Sequence, residues 1–354
     1  MPAGRDPRPD GARSASAGDP RPVIAVDGHG AERGPEVLAD GVRQAAAAGV
    51  RVRVFGDPAQ LSLHGVEGVE VIECLDSIGN EEEPVSTVRA RPEASVVRAV
   101  ADVAAGGSAA VAGHGSTGAL MAAATFGLKR MKGVQRPALA ARVPVPGKPV
   151  LFLDVGANTE VRAQHLVQFA YLGAAFSQAV LGVEEPAVGL LSVGEEPGKG
   201  TEEVVAAGAR LREAGGIRFI GNVEGGDLMA GGADVVVCGG FVGNVAIKVM
   251  EGTVRAVTGA IRERARSNPM AAAGGLLLKP ALGGLRHELG PDATGGAILL
   301  GLKGIAVVGH GSAGAEGIAN AIGLAARAVE ADASAKTAAL LAAAGAGGRG
   351  KPGQ

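Results

Sequence analysis

Three segments between residues 150 and 244 each run from an apolar strand into a polar, glycine-rich loop and then into a helix. They are Val150-Leu151-Phe152-Leu153-Asp154-Val155-Gly156-Ala157-Asn158, Val188-Gly189-Leu190-Leu191-Ser192-Val193-Gly194-Glu195-Glu196-Pro197-Gly198-Lys199-Gly200 and Asp234-Val235-Val236-Val237-Cys238-Gly239-Gly240-Phe241-Val242-Gly243-Asn244. Glycine lets a backbone approach a ligand closely, and the start of a helix offers N–H groups and the positive end of a dipole. In a parallel sheet such loops gather at the carboxyl edge, where open α/β folds bind their ligands. A small anion, most simply a phosphate, is the ligand these loops suit. Turns of this kind also occur in α/β proteins with no ligand there, so the loops alone leave the activity open.

A fourth segment, Gly113-His114-Gly115-Ser116-Thr117-Gly118, has the G-x-G-x-x-G spacing of a dinucleotide site between a strand and a helix. The acidic residue expected about 20 positions later is missing, since the chain there reads Arg136-Pro137-Ala138-Leu139. The segment also lies well inside the chain rather than in its first βα unit. Both facts disfavour dinucleotide binding. Cys74 and Cys238 are too few for a disulfide framework or a thiolate metal site, and Cys238, ending an apolar strand, reads as a buried structural thiol. No G-x-S-x-G elbow is present.

Composition narrows the classes further. A formal charge of −2 and the lack of a Lys/Arg run argue against a nucleic-acid partner. Seven Phe, one Tyr and no Trp leave nothing from which to build stacking platforms. No run reaches the roughly 18 apolar residues that would span a bilayer, and the first 20 residues lack a signal-peptide core. A cytoplasmic location is the expectation.

Strand and helix signals alternate between two tails, 1–20 and 333–354. Val23–Val26, Val50–Phe55, Val69–Glu73, Ala109–Ala112 and Ile305–Val308 read as strands. Pro35–Ala48, Glu93–Ala105 and Ala119–Met131 read as helices. This rhythm predicts an α/β domain over 21–332: a doubly wound, mostly parallel sheet with helices on both faces. Residues 251–289 break the rhythm with two helical stretches around Ser267-Asn268-Pro269, which predicts a projecting helical hairpin.

At these residues the chain resembles a known family. Val23-Ile24-Ala25-Val26-Asp27-Gly28-His29-Gly30, Ser116-Thr117-Gly118-Ala119-Leu120-Met121 and Gly133-Val134-Gln135-Arg136-Pro137-Ala138-Leu139-Ala140 are similar to stretches of the PlsX-type phosphate acyltransferases. So are Leu153–Asn158 with His165-Leu166-Val167-Gln168-Phe169-Ala170, Val188–Glu196, Phe219–Gly225, Gly240–Val245, Gly295–Leu302 and His310-Gly311-Ser312. The stretches keep the family's order from about residue 23 to 325.

The resemblance implies that inorganic phosphate attacks the thioester of a long-chain acyl group on acyl carrier protein, giving an acyl phosphate for phospholipid synthesis. An anionic nucleophile must then sit beside a carbonyl that becomes an oxyanion, and a cation with oriented N–H donors serves both. By position, Lys199 and Asn244 match the residues the family uses at the reacting centre. Read without the resemblance, Lys199 is a solvated loop lysine, and Asn244 is either a site residue or a helix N-cap. Asp27, Ser116, Thr117, Gly118, Asn158, His165, Gly240, Phe241, Gly243 and His310 are the substrate-binding candidates. For Asn158 and His165 a turn asparagine and a packing histidine are the plain alternatives. Glu195 and Glu196 repel phosphate and are expected to orient Lys199 or a backbone group. No metal or cofactor is required. The implied partners are acyl carrier protein, inorganic phosphate, a second copy of the chain in a homodimer, a peripheral membrane contact and a downstream glycerol-3-phosphate acyltransferase.

The chain departs from the family at Glu32 and Arg33 in the segment after Asp27, at Ser116 in place of an asparagine, and at Gly239 in place of an acidic residue. These swaps leave other readings open: a catalytically weak scaffold that binds acyl carrier protein or membrane, or a phosphotransacylase using acyl-coenzyme A.

Overall fold

The computed structural model describes residues 21–145, 148–288 and 290–345, so the N-terminal tail expected over 1–20 lies outside the described residues. β1 (Val23–Asp27), β2 (Arg51–Gly56), β3 (Val69–Glu73) and β4 (Ala110–Gly113) alternate with α1 (Pro35–Ala47), α2 (Pro58–Leu61), α3 (Pro84–Ala90) and α4 (Ser95–Ala104), and α5 (Thr117–Gly127) leaves β4. Pro35 presets the first turn of α1, and Leu38, Val42 and Ala45 recur at helical spacing to bury one face. Next come β5 (Ala138–Val143), β6 (Val150–Leu153), α6 (Ala163–Leu181), β7 (Ala187–Leu191), α7 (Glu202–Ala214), β8 (Arg218–Val223), α8 (Gly225–Ala230) and β9 (Val235–Val237). The hairpin follows as α9 (Gly240–Ala265) and α10 (Pro269–Glu288). After α11 (Pro291–Thr294), β10 (Ala297–Leu300) and β11 (Ile305–Val308), the chain ends in α12 (Ala315–Glu330) and α13 (Ala333–Ala343).

Eleven strands among the described residues form one sheet in the order β3-β2-β1-β4-β11-β10-β5-β6-β9-β7-β8. Strands such as β4, β6 and β9 are buried throughout, because helices cover both faces. The doubly wound, mostly parallel α/β architecture expected from the alternation is therefore present. Three pairings depart from the parallel rule: β10 is antiparallel to β11 and to β5, and β5 is antiparallel to β6. The group β3-β2-β1-β4-β11 consequently runs opposite to β6-β9-β7-β8. Through the register Gly113–Val308–Ala297–Ala141–Phe152, the last residue of β4 stands level with the next-to-last residue of β6. From that shared level the two halves send their carboxyl-end loops in opposite directions.

Two expectations about the ends of elements are corrected. The first arm of the hairpin begins at Gly240 rather than near 251, so α9 runs for 26 residues. The tail expected from residue 333 instead continues as α13, which packs on α6 with Thr337 and Leu341 buried. Its alanines are strong helix formers, and Ala333 is buried along with these two side chains.

Candidate active site

The loops after β6, β7 and β9 lie side by side, as the sequence required, and the first of them is built around one carboxylate. Asp154, fully buried, accepts hydrogen bonds from the N–H groups of Leu139 (3.0 Å), Gly156 (3.2 Å), Ala157 (2.9 Å) and Asn158 (2.7 Å), and from Asn158 Nδ2 (2.8 Å). Burial raises its pKa while these bonds pull it down. Asn158 Nδ2 also donates to Pro137 O at 2.7 Å, so this asparagine ties the loop to β5.

The start of α9 presses onto that loop. A Cβ on Gly240 would stand 2.5 Å from Asn158 O, and one on Gly243 would stand 1.9 Å from Asp154 O. Both glycines thus serve the close approach of helix to loop. The cap of α9 is Gly239, so Asn244 lies within the helix and the N-cap reading of it is corrected. Its Nδ2 donates instead to Val155 O at 3.3 Å, across Gly156. Phe241 beside it is 64% exposed.

The β7 loop presents Lys199. Its N–H closes a turn on Glu196 O (2.9 Å), and Asn222 Nδ2 from β8 donates to Glu196 O (2.9 Å) and Lys199 O (3.3 Å). Lys199 is exposed and has no carboxylate partner among the described residues. Glu196 therefore holds the lysine through its carbonyl, not through its carboxylate. His165, at the start of α6, accepts from Arg162 N–H through Nδ1 (3.1 Å) and stacks on Phe169. Burial, then Arg136 and Arg162, lower its pKa. Cys238 is a buried thiol whose pKa burial raises, with Sγ on Asp154 O at 3.4 Å.

Asp27, Ser116, Thr117, Gly118 and His310 belong to the other half, at the carboxyl ends of β1, β4 and β11. Burial raises the Asp27 pKa, and the carboxylate accepts from Ser95 Oγ (2.6 Å) and His29 N (3.3 Å). Ser116 caps α5 through Ala119 N–H (3.3 Å), while Thr117 is exposed. In the crevice between β1 and β4 the loops interlock: Gly30, at φ +82°, has no room for a Cβ, which would stand 2.4 Å from Gly115 Cα. Of the glycines in the G-x-G-x-x-G segment, Gly115 makes this contact, while Gly113 faces Leu120 and Gly118 faces Pro84. His114 is fully buried there with both ring nitrogens unpartnered, and desolvation lowers its pKa to about 4.

The bridge between the two edges is α9. Asn244 touches the β6 loop, and Glu251, seven residues or about 10 Å further along, lies 3.7 Å (Oε1) from His310 Nε2. Ala246, Ile247 and Met250 between them pack onto the sheet face that also carries Met121 and Ala122 of α5. No group of His, Cys, Asp and Glu among the described residues is arranged to hold a metal.

A sequence profile described as fatty acid synthesis protein matches residues 23–336. A phosphate acyltransferase of Nostoc punctiforme is 40% identical over 88% of this chain and 94% of its own. One of Geobacillus thermodenitrificans is 40% identical over 84% of this chain and 92% of its own. The chain belongs to the PlsX-type phosphate acyltransferase family. As a phosphate acyltransferase it is an enzyme that transfers an acyl group to phosphate. Among solved structures, a phosphotransacetylase from Streptococcus pyogenes (TM-score 0.57, 15% identity, covering 87% of this chain and 94% of that one) shares the fold. So does a branched-chain phosphotransacylase from Enterococcus faecalis V583 (TM-score 0.56, 18% identity, covering 87% and 99%).

Sequence reasoning missed Glu251, Asn222 and Ser312 as residues that shape these edges. Glu251 had a signal: it follows Asn244 by two helical turns, on the same helix face. Asn222 and Ser312 stood inside recognised segments without an assigned part.

Proposed function

We propose that this phosphate acyltransferase takes its acyl group, a long chain, from the thioester of acyl carrier protein, and that the acyl phosphate it forms feeds phospholipid synthesis through a glycerol-3-phosphate acyltransferase. The observation that carries the reading is the pairing of an unneutralised Lys199 on the β7 loop with Asn244 on α9, from the neighbouring β9 loop. Lys199 supplies the cation for phosphate and for the developing oxyanion, and Asn244 supplies an oriented amide. The leaving thiolate has a solution pKa of roughly 8.5, so it departs without strong acid assistance.

The exposed face of α9 supports a second copy of the chain as partner. Phe241, Val245 and Val249 are exposed at successive spacings of four residues, and Val257 and Ile261 are exposed further along the helix. On α10, Met270 is 85% exposed and Leu277 83%, beside Leu276, Leu278 and the cations Arg262, Arg264, Arg266 and Lys279. This end of the hairpin suits shallow contact with an anionic bilayer, at roughly 1 kcal/mol per near-surface charge. Among the described residues no helix is long and apolar enough to cross a membrane.

The test is incubation of the protein with palmitoyl-acyl carrier protein and phosphate, trapping acyl phosphate as the hydroxamate, with palmitoyl-coenzyme A as a parallel donor. No hydroxamate from either donor refutes the reading, and a preference for coenzyme A reassigns the donor. Leu277→Glu with Leu278→Glu is expected to abolish sedimentation with anionic liposomes at unchanged mass. Dissociation into monomers would place these leucines in the dimer contact instead.

A further inference from the structure

The proposed reaction has to move one proton. An oxygen of hydrogen phosphate forms the new C–O bond, the C–S bond breaks, and the phosphate proton must finish on the departing sulfur. The Lys199 ammonium has no lone pair and the Asn244 amide is not basic, so neither serves as the base that collects it. A group suited to that task stands at the carboxyl end of β11.

The backbone N–H of Ser312 donates to His310 Nδ1 at 3.3 Å, and Ser312 Oγ lies 2.9 Å from the same nitrogen. A backbone N–H can only donate, so Nδ1 is the unprotonated nitrogen of the neutral ring and Nε2 carries the hydrogen. Nε2 faces Glu251 Oε1 at 3.7 Å. The result is a hydroxyl, an imidazole and a carboxylate in series. His310 and Ser312 are both half-buried, within reach of a bound molecule. Lys248 approaches Glu251 from one turn back on α9, with Nζ 3.4 Å from Oε2. From the loop after β1, the Glu32 carboxylate lies against Gly311, and Arg33 and Asp292 stand near Gly314. Glu251 and Asn244 project from the same face of α9, about 10 Å apart, so one helix carries both the amide and the carboxylate that meets His310.

We propose that Ser312 and His310 form the proton relay of the acyl transfer, with Glu251 as its positioning residue. The inference rests on the phosphate–thioester reading above. Ser312 Oγ accepts the proton of the attacking phosphate while passing its own to His310 Nδ1. The imidazolium, facing Glu251, then returns a proton through Ser312 to the thiolate. Protons and electron pairs balance, and the enzyme ends as it began.

The experiment is the pH profile of kcat/KM for the full chain with palmitoyl-acyl carrier protein and phosphate, read as the ratio of variant to wild type so that the titration of phosphate itself cancels. His310→Gln is expected to lose about 10²–10³ in rate and the acid limb of the profile. Ser312→Ala is expected to lose at least about tenfold, and Ser312→Thr to restore most of it. Glu251→Gln is expected to move the acid limb to lower pH, because the imidazolium loses its counter-charge. With an active wild type, a His310→Gln enzyme that keeps its rate within about threefold and an unchanged limb overturns the relay. If that variant does not fold, Ser312→Ala and Glu251→Gln decide, and a Ser312→Ala rate within about threefold of wild type together with an unmoved Glu251→Gln limb overturns it. A wild type that forms no acyl phosphate from any acyl thioester refutes the parent reading instead.

Discussion

Replacing Gly243 by Ala tests whether the seat of α9 on the β6 loop sets the geometry of the site. In an unconstrained helix the change would stabilise by about 1 kcal/mol through helix propensity. Here the added methyl would stand 1.9 Å from Asp154 O, against the 3.4 Å at which ordinary contact begins, so helix and loop must part by about 1.5 Å. The opposing atom is backbone, in a loop whose Asp154 carboxylate gathers four N–H groups and the Asn158 amide. Cys238 Sγ, at 3.0 Å, blocks a sideways escape. Overpacking of this kind costs about 1–3 kcal/mol or more. We expect a net loss of about 2 kcal/mol, measured by urea unfolding as a lower midpoint at an unchanged slope. Because Asn244 is the next residue, the shift should also lower turnover by about 10² per folded molecule, the scale of a 1 Å misplacement. Gly259→Ala, on the same helix with open space around the new methyl, is the control and should stabilise by about 0.5–1 kcal/mol. A Gly243→Ala protein as stable as the Gly259→Ala control would refute the argument.

Three further outcomes follow from the same structure. Lys199→Met should lower acyl transfer by about 10²–10³ while keeping the wild-type unfolding midpoint, because the side chain is exposed; near-normal turnover with normal phosphate saturation would remove Lys199 from the chemistry. Asn244→Ala, with no cap to lose, should cost only the single bond to Val155 O, about 0.5–1.5 kcal/mol, with a larger loss in turnover, and a variant destabilised but fully active would make Asn244 a structural residue. His114, with a folded-state pKa of about 4 against 6.5 unfolded, binds fewer protons folded than unfolded between those values, so its contribution to stability falls as pH drops from 6.5 to 4, by about 3 kcal/mol. Buried Asp27 and Asp154, whose pKa values are raised, act in the opposite sense, so the quantity to measure is the difference between wild type and His114→Asn in unfolding free energy across that range; parallel curves would contradict the desolvated histidine.

Local signals settled much of this protein. Apolar runs ending in Asp154, Ser192 and Cys238 marked three parallel strands, because strands covered on both faces read as unbroken apolar stretches. The glycines after them marked loops where backbone could approach a ligand closely, and Gly240 and Gly243 let α9 approach the β6 loop of the protein itself. The order of such segments also carried the family. Element boundaries were less legible where tertiary contact, not composition, decides them. The alanine-rich stretch after Ala333 became α13 because Thr337 and Leu341 dock on α6. Likewise α9 began eleven residues earlier than expected, because its seat on the Asp154 loop holds the first turns in place.

What no window of sequence determined was direction and company. Ala138–Val143 and Ala297–Leu300 carry no local mark of antiparallel pairing, yet they reverse the sheet and divide the candidate residues between two edges. Register then leaves those edges within two turns of one helix, so that Glu251 meets a histidine 59 positions away in sequence. The sequence by itself set the residue types, the strand–loop–helix units and the phosphate-directed chemistry, since these rest on neighbours along the chain. Only the tertiary structure decided which side chains share a surface, because strand direction and helix docking depend on contacts between distant segments that local propensity does not encode.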